Sequence, residues 1–164
     1  TAGSATTGSS KSLRFDNFLA VDNDSEFIRV RSAGCVADCD SGDTFRIRAY
    51  DTTYRMSRFN NSASQVTVVV IANPTDQPVT GNLWFYSSTG ALAASQAVSI
   101  GAKSTFVLNT STVVSGAGSV TFSNNAPFGA LTGKAVAVEP ATGFTFDTAM
   151  VTRTATTKMV PRDN

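Results

Sequence analysis

Side chains capable of nucleophilic or acid–base catalysis are few in this sequence, and none forms a recognisable catalytic set. The 164-residue chain has no histidine, which excludes Ser-His-Asp and Cys-His arrangements and histidine metal sites. Its aspartates and two glutamates could supply a carboxylate pair for glycoside hydrolysis, but nothing in their spacing marks two of them as convergent. The Ser–Lys neighbours, Ser10-Lys11 and Lys103-Ser104, lack the S-x-x-K context of a catalytic dyad. We therefore predict that the protein is not an enzyme.

One stretch has the ligand spacing of a hard-cation site. Asp22, Asp24 and Glu26 place carboxylates at every second residue, as calcium-binding loops do. An EF-hand would need glycine at its sixth position, where Phe27 stands. Aspartates also favour solvated turns that bind no metal, so both interpretations stay open. Calcium is the one cofactor that the sequence suggests, and no other is predicted.

The two cysteines, Cys35 and Cys39, are close together in the sequence. A structural zinc site needs further Cys or His ligands, and the chain offers none. A disulfide closing a small loop is therefore the favoured interpretation. Such a bridge would place the protein outside the cytosol.

Two groups of side chains could form a binding surface. Arg46 and Arg48 share one face of a predicted strand, where they could meet an acidic glycan or phosphate, or pair with nearby aspartates. Trp84 and Tyr86 share another strand face, opposite to that of Phe85. If the Trp84 face is exposed, it would suit sugar stacking or a partner protein; the alternative is that Trp84 lies in the core.

Alternation of apolar and polar residues with a period of two dominates the chain and indicates β-strands. Charged residues make up only 15% of the sequence, whereas Ser and Thr make up a quarter of it, a composition that suits sheet surfaces better than long helices. Together, about 8–10 short, mostly antiparallel strands predict an all-β fold, an Ig-like or jelly-roll-like sandwich. The predicted strands are Phe27–Arg31, Thr44–Tyr50, Tyr54–Phe59, Val66–Ala72, Asn82–Tyr86, Ala97–Ile100, Thr105–Leu108, Ser119–Phe122, Ala135–Val138 and Phe144–Val151.

The segment Val66–Ala72 is nearly all apolar and is expected to be a central strand covered on both faces. We expect it to pair with Asn82–Tyr86 across the break at residues 73–78, which has the composition of a turn rather than of a ligand-gripping loop. Side chains predicted to point into the core are Val68, Val70, Leu83 or Phe85, Phe106 and Val136.

The stretch from Val68 to Gly90, VVVIANPTDQPVTGNLWFYSSTG, resembles the Ig-like β-sandwich modules of secreted or surface-anchored bacterial proteins. Those modules combine an apolar strand, N-P-[ST] with a second Pro, another apolar strand and an x-x-G turn. The later IGAKSTFVL, residues 100–108, is also similar, so the likeness covers roughly residues 64–110. The resemblance implies an extracellular sandwich with a structural or binding role, and it carries over no catalytic residue.

The first 20 residues differ in composition from the rest and are predicted to be an N-terminal extension, with residues 21–164 forming one sandwich domain. A polar lead, TAGSATTGSSKS, is followed by the apolar residues Leu13, Phe15, Phe18 and Leu19. An extended segment with alternating apolar anchors can add a strand to the open edge of a sheet. We expect this extension to be an exchanged strand or assembly arm that contacts a neighbouring copy.

The net charge of +1 gives no strong field, and no apolar run approaches the length of a spanning helix. Neither nucleic-acid binding nor membrane insertion is predicted. The chain does not begin with Met, which is consistent with a removed export signal. The sequence thus favours a non-enzymatic protein, extracellular or at the cell surface, that forms a filament, sheath or appendage from copies of itself. The alternative is a carbohydrate-binding or adhesive module that binds a surface glycan.

Overall fold

A computed structural model of the protein describes residues 51–62 and 64–152, which form nine β-strands and one short 3-10 turn at Thr110–Thr112. The strands predicted from Tyr54 to Val138 are all present, most of them extended by a few residues, whereas the predicted strand Phe144–Val151 is divided at Met150 into two strands that belong to different sheets. The predicted strands Phe27–Arg31 and Thr44–Tyr50 lie outside the described residues. The strands are β1 (Tyr54–Asn61), β2 (Val66–Asn73), β3 (Val79–Ser87), β4 (Leu92–Ile100), β5 (Ser104–Asn109), β6 (Gly116–Asn124), β7 (Thr132–Glu139), β8 (Phe144–Ala149) and β9 (Val151–Thr152).

The strands form two antiparallel sheets that pack face to face. The five-stranded sheet has the order β4-β3-β6-β1-β9, and the four-stranded sheet has the order β5-β2-β7-β8. A single apolar cluster between the sheets includes Phe59, Leu83 and Phe122 from the first sheet and Val69 and Ile71 from the second. The all-β sandwich expected from the sequence is therefore confirmed.

The expected pairing of β2 with β3 is wrong. β2 pairs with β5 and β7, whereas β3 pairs with β4 and β6 in the other sheet. The segment between β2 and β3 therefore carries the chain from one sheet to the other and is not a hairpin turn. The true hairpin partner of β3 is β4, and a tight turn joins them, in which the Ser87 N–H donates to the Ala91 carbonyl at 2.8 Å and Gly90 has a φ of 85°.

β2 presents to the core the face opposite to the one expected. Val69 and Ile71 are fully buried, while Val68 and Val70 lie half-buried on the outer face of the four-stranded sheet. The same register leaves Val136 half-buried on the outer face of β7 and turns Ala135 inward. The alternation of residues along β2 could not identify its inward face, because apolar residues occupy both faces.

Of the other side chains predicted to point into the core, those on β3 are buried and Phe106 is half-buried. Leu83 and Phe85 are both fully buried, so β3 has the expected register. Phe106 packs against the core but stays half-buried, because it lies on the edge strand β5. Phe59 and Phe85 meet edge to face across the interior, with ring centroids 5.5 Å apart.

Candidate functional site

Most of the side chains that the sequence singled out lie outside the described residues. The structure therefore tests neither the disulfide, nor the calcium loop, nor the assembly arm, nor the arginine pair, and these stay predictions. The residues concerned are Cys35, Cys39, Asp22, Asp24, Glu26, Leu13, Phe15, Phe18, Leu19, Arg46 and Arg48.

The break at residues 73–78 is a rigid corner whose polar groups bond to one another. The Asn73 side chain is buried, and its Nδ2 donates to the carbonyls of Gln77 at 2.8 Å and Gly101 at 2.9 Å. Its Oδ1 accepts from the Thr75 hydroxyl at 2.7 Å. Lys103 closes the corner from outside, donating from Nζ to the Pro74 carbonyl at 2.7 Å. These internal bonds favour the turn interpretation over a loop that grips a ligand.

Trp84 and Tyr86 lie on the outer face of the five-stranded sheet, not in the core. Both side chains are half-buried, and the Trp84 indole Nε1–H donates to the Ser123 hydroxyl at 3.0 Å. The cross-strand neighbours of Trp84 are Ser95 on β4 and Thr121 on β6. The result is an aromatic pair set in a hydroxyl-rich sheet face, a surface that a sugar ring could stack on.

Within residues 51–62 and 64–152, the most unusual apolar surface lies on β8, the last of the described strands in the four-stranded sheet. Phe146 pairs with Ala137 and therefore points to the same side of the sheet as the core. Phe144, two residues earlier, points to that side too. Yet Phe144 is 68% exposed and Phe146 is 57% exposed. Two large rings on the core-facing side of a sheet thus lie open to solvent.

One ion pair and one arginine lie near these rings. Asp147 is the one charged residue of β8, and it forms an ion pair with Lys134 on the neighbouring β7. Arg58 of β1, in the opposite sheet, places its guanidinium carbon 5.8 Å from the centroid of the Phe146 ring, within the range of a cation–π contact. Asp147 is therefore neutralised within the sheet, whereas Arg58 places a positive charge beside the Phe146 ring.

Among the described strands, the other sheet edges are better protected. On β4 the core-facing Val98 and Ile100 are buried, and on β5 the core-facing Phe106 and Leu108 pack against the core. The edge at β9 is only two residues long. β8 differs in combining a full strand with uncovered core-facing aromatics and no proline or bulge, the usual devices that protect an edge.

Among the described strands, β9 pairs only with Tyr54 and Arg55 of β1, so the rest of β1 forms the edge of the five-stranded sheet nearest to β8. β1 carries an irregularity between Met56 and Phe59. The buried Thr67 hydroxyl then accepts from the Asn60 N–H at 2.8 Å and donates to the Asn60 carbonyl at 2.9 Å. These contacts occupy main-chain groups that a further strand beside β1 would need.

The remaining polar groups of interest have structural roles. Burial raises the pKa of Tyr54, whose hydroxyl accepts from the Leu131 N–H at 2.9 Å. Hydroxyl donors lower the pKa of Glu139, first Thr142 and then Ser64. Within residues 51–62 and 64–152, no group of three or more His, Cys, Asp or Glu side chains could hold a metal ion.

Sequence reasoning predicted the strand that contains Phe144 and Phe146 but did not single out either ring. The alternation Phe-Thr-Phe was visible, and it indicates that both rings share one strand face. Their exposure depends on β8 being the last strand of its sheet, which is a property of the whole topology and has no local signal.

Comparison with family models, curated proteins and solved structures finds no match for this chain. The described part of the chain contains no helix long and apolar enough to cross a bilayer.

Proposed function

We propose that the protein is a non-enzymatic extracellular structural subunit that associates with copies of itself through strand edges, as in a surface filament, sheath or appendage. The observation that carries this proposal is the edge strand β8, with Phe144 and Phe146 more than half exposed on its core-facing side. Exposed aromatic rings that continue a core are typical of a surface completed by another chain.

The chemistry of the edge also supports the proposal. Main-chain N–H and C=O groups along the free side of an edge strand can pair with a further strand. Alternate side chains of that added strand would then cover the exposed rings, as in strand addition to other sheets. The predicted assembly arm, with Leu13 and Phe15 at alternate positions, has the composition that a further strand contact, at another edge, would need.

Light scattering of the full chain over a concentration series tests this proposal. We expect the mean mass to rise with concentration from that of a single 17.1 kDa chain. A mass that stays at one chain from roughly 1 to 300 μM, the range of weak specific association, would contradict it.

A second candidate function is binding of a surface glycan, and one observation favours it. Trp84 and Tyr86 lie on an outer sheet face among hydroxyl groups rather than in the core. Because Trp84 is the only tryptophan of the chain, its fluorescence reports directly on that face. Titration with soluble neutral oligosaccharides should shift its emission if sugars stack there, whereas an unchanged spectrum across the panel would eliminate this candidate.

A further inference from the structure

We infer that β8 pairs with β8 of a second copy, antiparallel and about a two-fold axis, so that two four-stranded sheets join into one continuous sheet. This inference rests on the proposed self-association and names the surface and the partner that carry out one of its contacts. The occupant of the open edge is thus the same six-residue strand, Phe144–Ala149, in another copy.

The strand β8 is complementary to itself. In an antiparallel pair about a two-fold axis perpendicular to the sheet, core-facing residues meet core-facing residues only in alternate registers. In the register centred on Thr145, Phe144 lies opposite Phe146 of the second copy. In the register centred on Phe146, the two Phe146 rings lie opposite each other, and Phe144 faces Thr148. Both registers cover exposed aromatic surface with aromatic surface, which favours pairing.

The charged residue of β8, Asp147, is compatible with self-pairing. In the Thr145-centred register Asp147 lies opposite Gly143, and in the Phe146-centred register it lies opposite Thr145 of the second copy. Neither register opposes Asp147 to its own copy, so no like charges meet directly across the new strand pair. Lys134 continues to neutralise Asp147 within each subunit. Self-pairing therefore avoids repulsion between the two Asp147 carboxylates. The Phe146-centred register brings together two Phe146 rings that each have an Arg58 guanidinium beside them, so charge favours the Thr145-centred register.

The surface area that this contact would bury is small. Phenylalanine side chains bury roughly 150–250 Å² each when fully covered, so two half-exposed rings offer only about 200–300 Å² per copy. Specific interfaces usually bury about 800 Å² per partner. The β8 contact should therefore be weak and reversible by dilution. Because a two-fold contact closes into a dimer, a filament needs a second contact, the role predicted for residues 1–20.

Sedimentation of the full chain and two matched variants tests this contact. Phe146→Asp places a carboxylate at the centre of the proposed pair, whereas Val107→Asp changes a similarly exposed residue, 61% against 57%, on the distant edge strand β5. We expect Phe146→Asp to weaken self-association by about tenfold or more. Val107→Asp should leave it unchanged. Thermal unfolding of both variants establishes that they fold.

Crosslinking gives a second measurement that does not depend on a disruptive substitution. Thr145→Cys and Phe146→Cys each lie at the two-fold axis in one of the two registers, so a short thiol–thiol crosslinker should join the matching variant into dimers. Peptide mapping separates this link from any made by Cys35 or Cys39, and Val107→Cys gives the background. A link at residue 145 or 146 well above that background supports the inference.

The outcomes distinguish this inference from the proposed function. If the chain associates, but Phe146→Asp behaves like the unmodified protein and both cysteine variants crosslink only at background, the β8 contact is wrong and self-association stands through another surface. If every form remains a monomer at all concentrations, the proposed function is wrong as well.

Discussion

Val70 and Ile71 are neighbours on β2 with opposite environments. Ile71 is fully buried, whereas Val70 is half-buried on the outer face. Ile71→Ala should lower the free energy of unfolding by about 2–5 kcal/mol, because it removes buried methyl groups and leaves a cavity. Val70→Ala should cost clearly less, about 1 kcal/mol or below. Urea unfolding of both variants checks the register, and equal or reversed losses would show that the opposite face points inward.

At the same scale, Asn73 holds the corner between the sheets through four hydrogen bonds at 2.7–3.1 Å, two donated to carbonyls and two accepted from Thr75. Asn73→Ala should lower the free energy of unfolding by about 2–3 kcal/mol, because it leaves carbonyl groups of the corner without their donors. Gln77→Ala is the matched control, since the Gln77 side chain is exposed and the corner uses only its backbone. Its cost should stay within about 0.5 kcal/mol, and similar losses for both variants would contradict the role of Asn73.

The turn between β7 and β8 has a pH-sensitive carboxylate. The hydroxyls of Thr142 and Ser64 donate to Glu139 at 2.7 and 2.8 Å and hold its pKa below its ordinary value. A lowered folded-state pKa stabilises the fold above the unfolded-state pKa, and that contribution is lost as the pH falls through the folded-state pKa.

We therefore expect Glu139→Gln to be less stable than the unmodified protein at neutral pH. The difference should vanish in acid, below the pKa of Glu139 in the folded protein. Denaturant unfolding at a series of pH values measures it. A stability difference that is the same at pH 7 and in acid would mean that the charge on Glu139 does not stabilise this turn.

The strands themselves could be predicted from sequence, because each is a local pattern bounded by turn residues. The pairing partner of each strand could not be predicted in this way. A Pro- and Asn-rich break between two apolar strands is compatible with a hairpin and with a crossing between sheets, and only the distant partners β5, β6 and β7 decide which one forms. The inward face of β2 was likewise undetermined, because apolar residues occupy both faces, Val and Ala on one and Val and Ile on the other.

Of the two candidate surfaces, local sequence patterns predicted one and missed the other. The outward-facing aromatic pair at Trp84 could be named from sequence as one of two alternatives, since its alternation with Phe85 is local. The open edge at β8 could not be named from the sequence, because the exposure of Phe144 and Phe146 arises from the order of strands in the sheet. Sequence patterns identify which side chains share a face and leave open whether another layer covers that face.

At the scale of the whole molecule, two different contacts would build an extended assembly: the self-paired β8 edge and the predicted arm at residues 1–20. Deleting residues 1–20 should therefore abolish large assemblies and leave a soluble, folded species no larger than a dimer. Circular dichroism of the truncated protein should retain the β-sheet spectrum. A truncated chain that still polymerises would show that the arm has no part in assembly.

Negative-stain imaging combined with light scattering of the full chain measures whether this protein associates with copies of itself. We expect concentration-dependent particles larger than one chain, and elongated assemblies at the highest concentrations. Uniform monomers at every concentration would contradict it and would leave glycan binding at the Trp84 face as the better supported function.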